Sequence, residues 1–163
     1  MTRITPFLWF DKNGEEAAAF YASTFPDSSL DAVHRAASDF PGGKAGDALM
    51  VEFTVLGLRC AGVNGGPVFT LNEAFSFQVH TKDQKETDRY WDALTKDGGT
   101  ESQCGWCKDR FGLSWQITPQ ALTDMMSNTA DPAASRRAMD AMMRMKKIDI
   151  AALEIAYAGE KVA

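Results

Sequence analysis

Cys104-Gly-Trp-Cys-Lys-Asp-Arg-Phe-Gly-Leu-Ser-Trp-Gln-Ile117 carries the architecture of this chain in miniature. Asp109 to Gly112 is polar and rich in turn formers, and Leu113 to Ile117 is a short strand pattern, so the stretch reads as a turn feeding a strand. A fainter copy stands earlier, at Gly57-Leu-Arg-Cys-Ala61. Two copies of one strand-turn unit predict a duplicated module.

The surrounding pattern supports the duplication. Ile4 to Phe10 reads as a buried strand, Glu15 to Phe25 as a helix ended by Pro26, and Ser29 to Ala36 as a strand. Asp39 to Gly46 is loop, and Ala48 to Leu56 with Leu58 to Val63 predicts a hairpin around Gly57. The second half repeats the plan: a strand over Ala74 to Thr81, a helix over Gln84 to Lys96 closed by Asp97-Gly-Gly99, an irregular segment holding Cys104 to Cys107, and the strand Leu113 to Ile117, stopped by Pro119. Phe10 to Val79 and Tyr21 to Tyr90 are both separated by 69 residues, and Gly57-Leu58 lies 55 residues before Gly112-Leu113. The first half would then hold 14 extra residues between its helix and its last strand. Two βαβββ units, an α+β fold, account for this layout. Module one spans about 2–66 and module two about 72–120, within a domain of 1–128. The rest, 129–163, is a helical extension: Ala121 to Ser127, then Ala133 to Met145 opened by Pro132, then Asp149 to Tyr157. Met139, Met142, Met143 and Met145 suit gap filling or a partner-facing surface.

Composition narrows the partners. A net charge of -5 and a pI near 5.0 leave no basic stripe to neutralise phosphates, which argues against nucleic acid. The cluster from Arg136 to Lys147 reads as the solvated side of a helix. No signal-peptide layout precedes Phe7 and no apolar run approaches ~18 residues, so a cytoplasmic protein that does not enter membranes is expected. The 3 cysteines, an odd number, fit a reducing compartment.

Ile4-Thr-Pro-Phe-Leu-Trp-Phe-Asp11, Cys104-Gly-Trp106, Lys108-Asp-Arg-Phe-Gly-Leu-Ser-Trp-Gln116, Ala141-Met142 and Met145-Lys-Lys-Ile-Asp-Ile-Ala-Ala-Leu-Glu154 resemble the PhnB-like branch of the vicinal oxygen chelate (glyoxalase/bleomycin resistance/dioxygenase) superfamily, often labelled 3-demethylubiquinone-9 3-methyltransferase. The resemblance implies paired βαβββ modules whose sheets curl around a cleft, within a homodimer. It also implies a divalent metal held by His, Glu or Gln from four strands. Matching the repeats places those four positions near Thr5, Ala61, Ala74 and Gln116. Only Gln116 offers a ligand atom, and a lone amide is a poor one, so no metal and no other cofactor is expected. The methyltransferase label fits poorly: Gly42-Gly43, Gly65-Gly66 and Gly98-Gly99 do not join a strand to a helix as a nucleotide-cradling turn would.

Strand parity nominates the ligand-binding residues. Phe7 and Trp9, Arg59, Ser76 and Gln78, Ser114 and Gln116 share the face away from the helices, with Trp106 nearby. Core filling is the plainer alternative for Phe7 and Trp9. His80 either looks toward the cleft mouth or is a solvent-exposed strand end, and His34 sits in an edge strand. Cys104 and Cys107 have CxxC spacing, but no second pair completes a zinc site and no βαβ setting suggests thioredoxin-like chemistry. Cys104 would need a neighbouring base to act as a nucleophile. Asp11, Glu52 and Asp109 are acid-base candidates only by standing near turns. The catalytic residues are therefore left open. A metal-free protein that binds a small molecule is expected first. A metal-assisted lyase, isomerase or dioxygenase comes second, and a ligand-free dimeric interaction module third.

Overall fold

The structure, a computed structural model, describes residues 2–160. The chain divides into two compact units, one ending at Asn72 and the other beginning at Glu73.

The first unit is a βαβββ module. Strand β1 (Phe7–Phe10) leads to helix α1 (Gly14–Thr24), then to β2 (Ser29–Arg35), β3 (Ala48–Val55) and β4 (Leu58–Asn64). The sheet order is β1-β4-β3-β2, with β1 parallel to β4. Leu8 and Phe10 are buried while Phe7 is exposed, as period-two alternation requires. Helix α1 carries Glu15 and Glu16 in its first turn, where they complement the positive end of the helix dipole. It buries Ala17, Ala18 and Tyr21, and the Tyr21 ring packs 5.9 Å from Phe53 on β3. The β3–β4 hairpin turns on Leu56 and Gly57, both at positive φ, the conformation of a tight primed turn.

The second unit repeats the module and adds three helices. Strand β5 (Ser76–Thr81) and helix α2 (Gln84–Thr95) precede β6 (Thr100–Glu101), β7 (Trp106–Lys108) and β8 (Ser114–Pro119), in the order β5-β8-β7-β6. Helices α3 (Gln120–Ser127), α4 (Pro132–Met142) and α5 (Ile150–Ala158) follow. Asp83 caps α2 by accepting from the Glu86 amide. Gln84 ties the additional helices down: its Nε2 donates to the Ile148 carbonyl and its Oε1 accepts from the Ile150 amide. Leu122, Ile148 and Leu153 form a small core with Ala141, and Met125, Met126, Met142 and Met145 pack against it. Met139 and Met143 stay exposed, so the methionine-rich stretch divides between core and surface.

Four expectations from sequence are corrected. Phe7 pairs with Ala61 and Ser76 with Ser114, so the repeat offsets are 69 and 53 residues, and the first unit holds 16 extra, not 14. The segment around Cys104 to Cys107 is not wholly irregular: Trp106, Cys107 and Lys108 pair with Gln116, Trp115 and Ser114. Strand β5 begins at Ser76, leaving Ala74 in a turn. Helix α4 stops at Met142: the Arg144 and Met145 amides bond three residues back, to Ala141 and Met142, which tightens the last turn and ends the i to i−4 ladder.

Candidate functional site

Asp109 organises the turn that feeds β8. Its Oδ1 accepts from the Phe111 and Leu113 amides, and its Oδ2 accepts from the Trp115 indole at 2.8 Å. The carboxylate is buried, and those donors stabilise its charge where water cannot. Asp109 is therefore an architectural residue and not an acid-base group. With Trp115 fixed on the helix side, Ser114, Gln116 and Thr118 fall on the opposite face.

Pairing extends that face into rows. Gln78, Gln116 and Trp106 lie side by side across β5, β8 and β7, and Ser76, Ser114, Lys108 and Thr100 form the next row. The Gln116 amide donates to Ser76 Oγ at 2.8 Å, and the Gln78 amide donates to Thr118 Oγ1 at 3.1 Å. A cavity of about 470 Å³ lies over the first row. Gln78, Gln116, Thr118, Trp106 and Cys104 line it, together with Leu122, Thr123, Met126, Ser127 and Met142 from the added helices. No charged side chain lines it.

Of the residues nominated by sequence, Gln78, Cys104, Trp106 and Gln116 thus come together. Ser114 and Trp106 line a neighbouring cavity of about 320 Å³ with Glu73, Thr100, Ser102 and Lys108. His80 is exposed at the strand end, opposite Thr118, and lines neither cavity. In the first unit Phe7 and Arg59 line a smaller cavity of about 180 Å³ with Glu52. Glu52 lies 2.9 Å from His34 Nε2 and 3.6 Å from the Arg59 guanidinium. Trp9 has structural partners: its indole donates to the Gly66 carbonyl, its ring meets Phe69 edge-on, and any side chain at Gly65 would strike it.

The sequence reading missed Thr118, Leu122, Thr123, Met126, Ser127 and Met142. Thr118 has the parity of Gln116 and was legible. Leu122 and Met126 are four residues apart on a helix that begins directly after β8, a spacing that sets both on one side of α3. Met142 reaches the cavity through tertiary packing that no local pattern signals.

The thiols are unlike one another. Burial pushes Cys107 up to about 12, helped by the Asp109 and Glu101 carboxylates, and burial alone pushes Cys60 up to about 11. Cys107 is buried while Trp106 and Lys108 beside it are only partly so, and no disulfide joins it to Cys104. Cys104 occupies the left-handed region at φ 60, and its Sγ lies 3.7 Å from Met143 Sδ, a neighbour with no basicity to activate it.

A divalent metal, which the superfamily resemblance implies, does not fit these residues. Thr5 and Ala74 stand outside the strands, and the observed register sets Gln116 against Gln78 and Trp106. No group of three or more His, Cys, Asp or Glu side chains comes together among the described residues. Neutral amides and hydroxyls alone make a weak donor set for such an ion.

Protein PA1353 from Pseudomonas aeruginosa is 21% identical, with a TM-score of 0.58 over 73% of this chain and 98% of its own, a likeness of fold. The PhnB protein from Bacillus cereus is 30% identical, with a TM-score of 0.65 over 72% of this chain and 99% of its own. No curated protein matches the chain. Residues 2–118 match the family described as 3-demethylubiquinone-9 3-methyltransferase, a match that stops just before α3. With the duplicated βαβββ modules, these likenesses establish that the chain belongs to this PhnB-like family.

Proposed function

We propose that this protein binds a small, uncharged, partly aromatic organic molecule in the cavity of the second unit. The observation that carries the reading is the composition of that cavity: two glutamine amides, threonine and serine hydroxyls, a thiol and an indole together with leucine and methionine side chains, and no charge. Its volume of about 470 Å³ is of the size that small-molecule sites have. Amides that already bond each other's neighbours are held in place, so a ligand carbonyl or hydroxyl would meet preset partners. The indole offers a flat apolar surface for an aromatic body.

Methyl transfer has no support in the local geometry. The strand-helix connections, Asp11 to Asn13 and Lys82-Asp83, contain no glycine, and both sheets mix parallel with antiparallel pairs. Neither feature suits a nucleotide-type cofactor. Binding without turnover is therefore the reading, and the homodimer that the superfamily resemblance implies is retained as part of it.

The test is a panel of neutral aromatic amides and phenols, screened by protein-observed NMR against the full chain and against Met126→Trp, which fills the cavity. Binding that Met126→Trp abolishes supports the reading. Ligands that bind the variant equally well occupy another place and refute it.

A further inference from the structure

The neighbouring cavity of about 320 Å³ differs from the first in one respect that matters chemically: it is lined by charge. Lys108, on β7, is 30% exposed and meets Glu73 Oε1. Glu73 stands in the turn before β5 and is 67% exposed; besides the lysine its carboxylate has a hydrogen bond from its own backbone amide. Next to Lys108 in the sheet is Ser114, only 1% exposed, whose Oγ has no hydrogen-bond partner among the described residues. A buried hydroxyl left without a partner is rare in a folded protein and marks a place where a further polar group is wanted. Beyond Ser114 in the same row is Ser76, whose Oγ already accepts from Gln116 and so has its own proton to give. Trp106 closes the apolar side.

We infer that this cavity is a second ligand site, specific for a small organic carboxylate, and that Glu73 occupies the cationic end in the ligand's absence. The chemistry selects the class. One lysine, a single positive charge, neutralises a singly charged carboxylate but leaves the second charge of a phosphate uncompensated. The indole wall suits a carboxylate carried on a planar body. Displacing Glu73 frees the lysine, and Ser114, its neighbour in the sheet and in the cavity lining, has a hydroxyl still to be paired. Glu73 thus acts as a tethered competitor: it keeps the lysine paired in the free protein and is released to solvent on binding. The inference does not depend on the neutral ligand proposed for the larger cavity.

Benzoate titrated calorimetrically into the full chain is the test, with benzamide as the neutral match. Benzoate is expected to bind in the millimolar range, which a single ion pair plus an aromatic contact sustains, and benzamide about tenfold more weakly or not at all. Glu73→Gln removes the competitor from an exposed position where folding is not at risk, and should tighten benzoate about threefold or more. Lys108→Met should lose the binding, and Met126→Trp should leave it intact. No heat up to about 10 mM benzoate, equal binding of benzamide, or an affinity unmoved by Glu73→Gln would overturn the inference. If benzoate binds but Met126→Trp abolishes it, the ligand sits in the larger cavity; that defeats the carboxylate site and also the preference of the larger cavity for uncharged molecules, whereas loss of binding in Lys108→Met alone touches only the carboxylate site.

Discussion

Asp109 ties the turn of the second module to its last strand. Three donors converge on its carboxylate, two of them backbone amides of the turn and one the Trp115 indole. Replacing it with alanine strands those donors in the interior, so Asp109→Ala should cost about 3 kcal/mol, measured by urea denaturation. A loss below about 0.5 kcal/mol would show that the turn holds without it. The thiols give a pH-dependent prediction. Burial holds the Cys107 thiol up to about 12 in the folded state, whereas an exposed thiol of the unfolded chain titrates near 9.0. Between those values the unfolded chain binds fewer protons, so stability falls as pH rises, by up to about 1.4 kcal/mol per unit for this group. Cys107→Val should flatten that part of the profile. In the native protein a thiol reagent should label Cys104, with Cys60 and Cys107 reacting only once the chain unfolds; mass spectrometry of the labelled peptides would reveal the opposite order. Sequence named the turn at Asp109 but could not tell an architectural carboxylate from a catalytic one, because that distinction lies in which donors face it.

Periodicity worked where elements are long. Helices α1 and α2, the hairpin at Gly57 and the helix-free parity of Ser76, Gln78, Ser114 and Gln116 were all legible. It failed at β6 and β7, which span Thr100–Glu101 and Trp106–Lys108, too few residues to express alternation. The same limit misplaced the repeat by two residues on the last strand, an even shift that preserved the face and so preserved the site. Helix α4 ended early in a tightened turn, after which the carbonyls of Met145 and Lys146 accept from the amides of Cys104 and Gly105. That pairing is between segments far apart in sequence. Gln84 makes a related long-range connection, from the start of α2 to Ile148 and Ile150. Gln84→Ala should destabilise the protein by about 1–2 kcal/mol and raise hydrogen exchange selectively across 148–158. Uniform acceleration over the whole chain would count against this anchoring role.

At the scale of the molecule, the duplicated module explains the family, and two of the added helices, α3 and α4, complete the candidate site. The family match ends at residue 118, while Leu122, Met126 and Met142, which wall the larger cavity, all lie after it. Ligand preference in this chain is therefore expected to reside as much in α3 and α4 as in the sheet. Leu122→Ala and Met126→Ala should each weaken a bound neutral ligand about tenfold, without the loss of fold that truncating Trp115 would bring. Charge is partitioned as well: the larger cavity has none, and the smaller one pairs Lys108 with Glu73.

Chemical-shift mapping of the full chain with a neutral aromatic amide is the most direct measurement. The expected result is a set of perturbations confined to Gln78, Cys104, Trp106, Gln116, Thr118, Met126 and Met142, saturating with one molecule per chain and absent in Met126→Trp. Perturbations that gather in the first unit, or that never saturate, would contradict the assignment of this cavity as the ligand site.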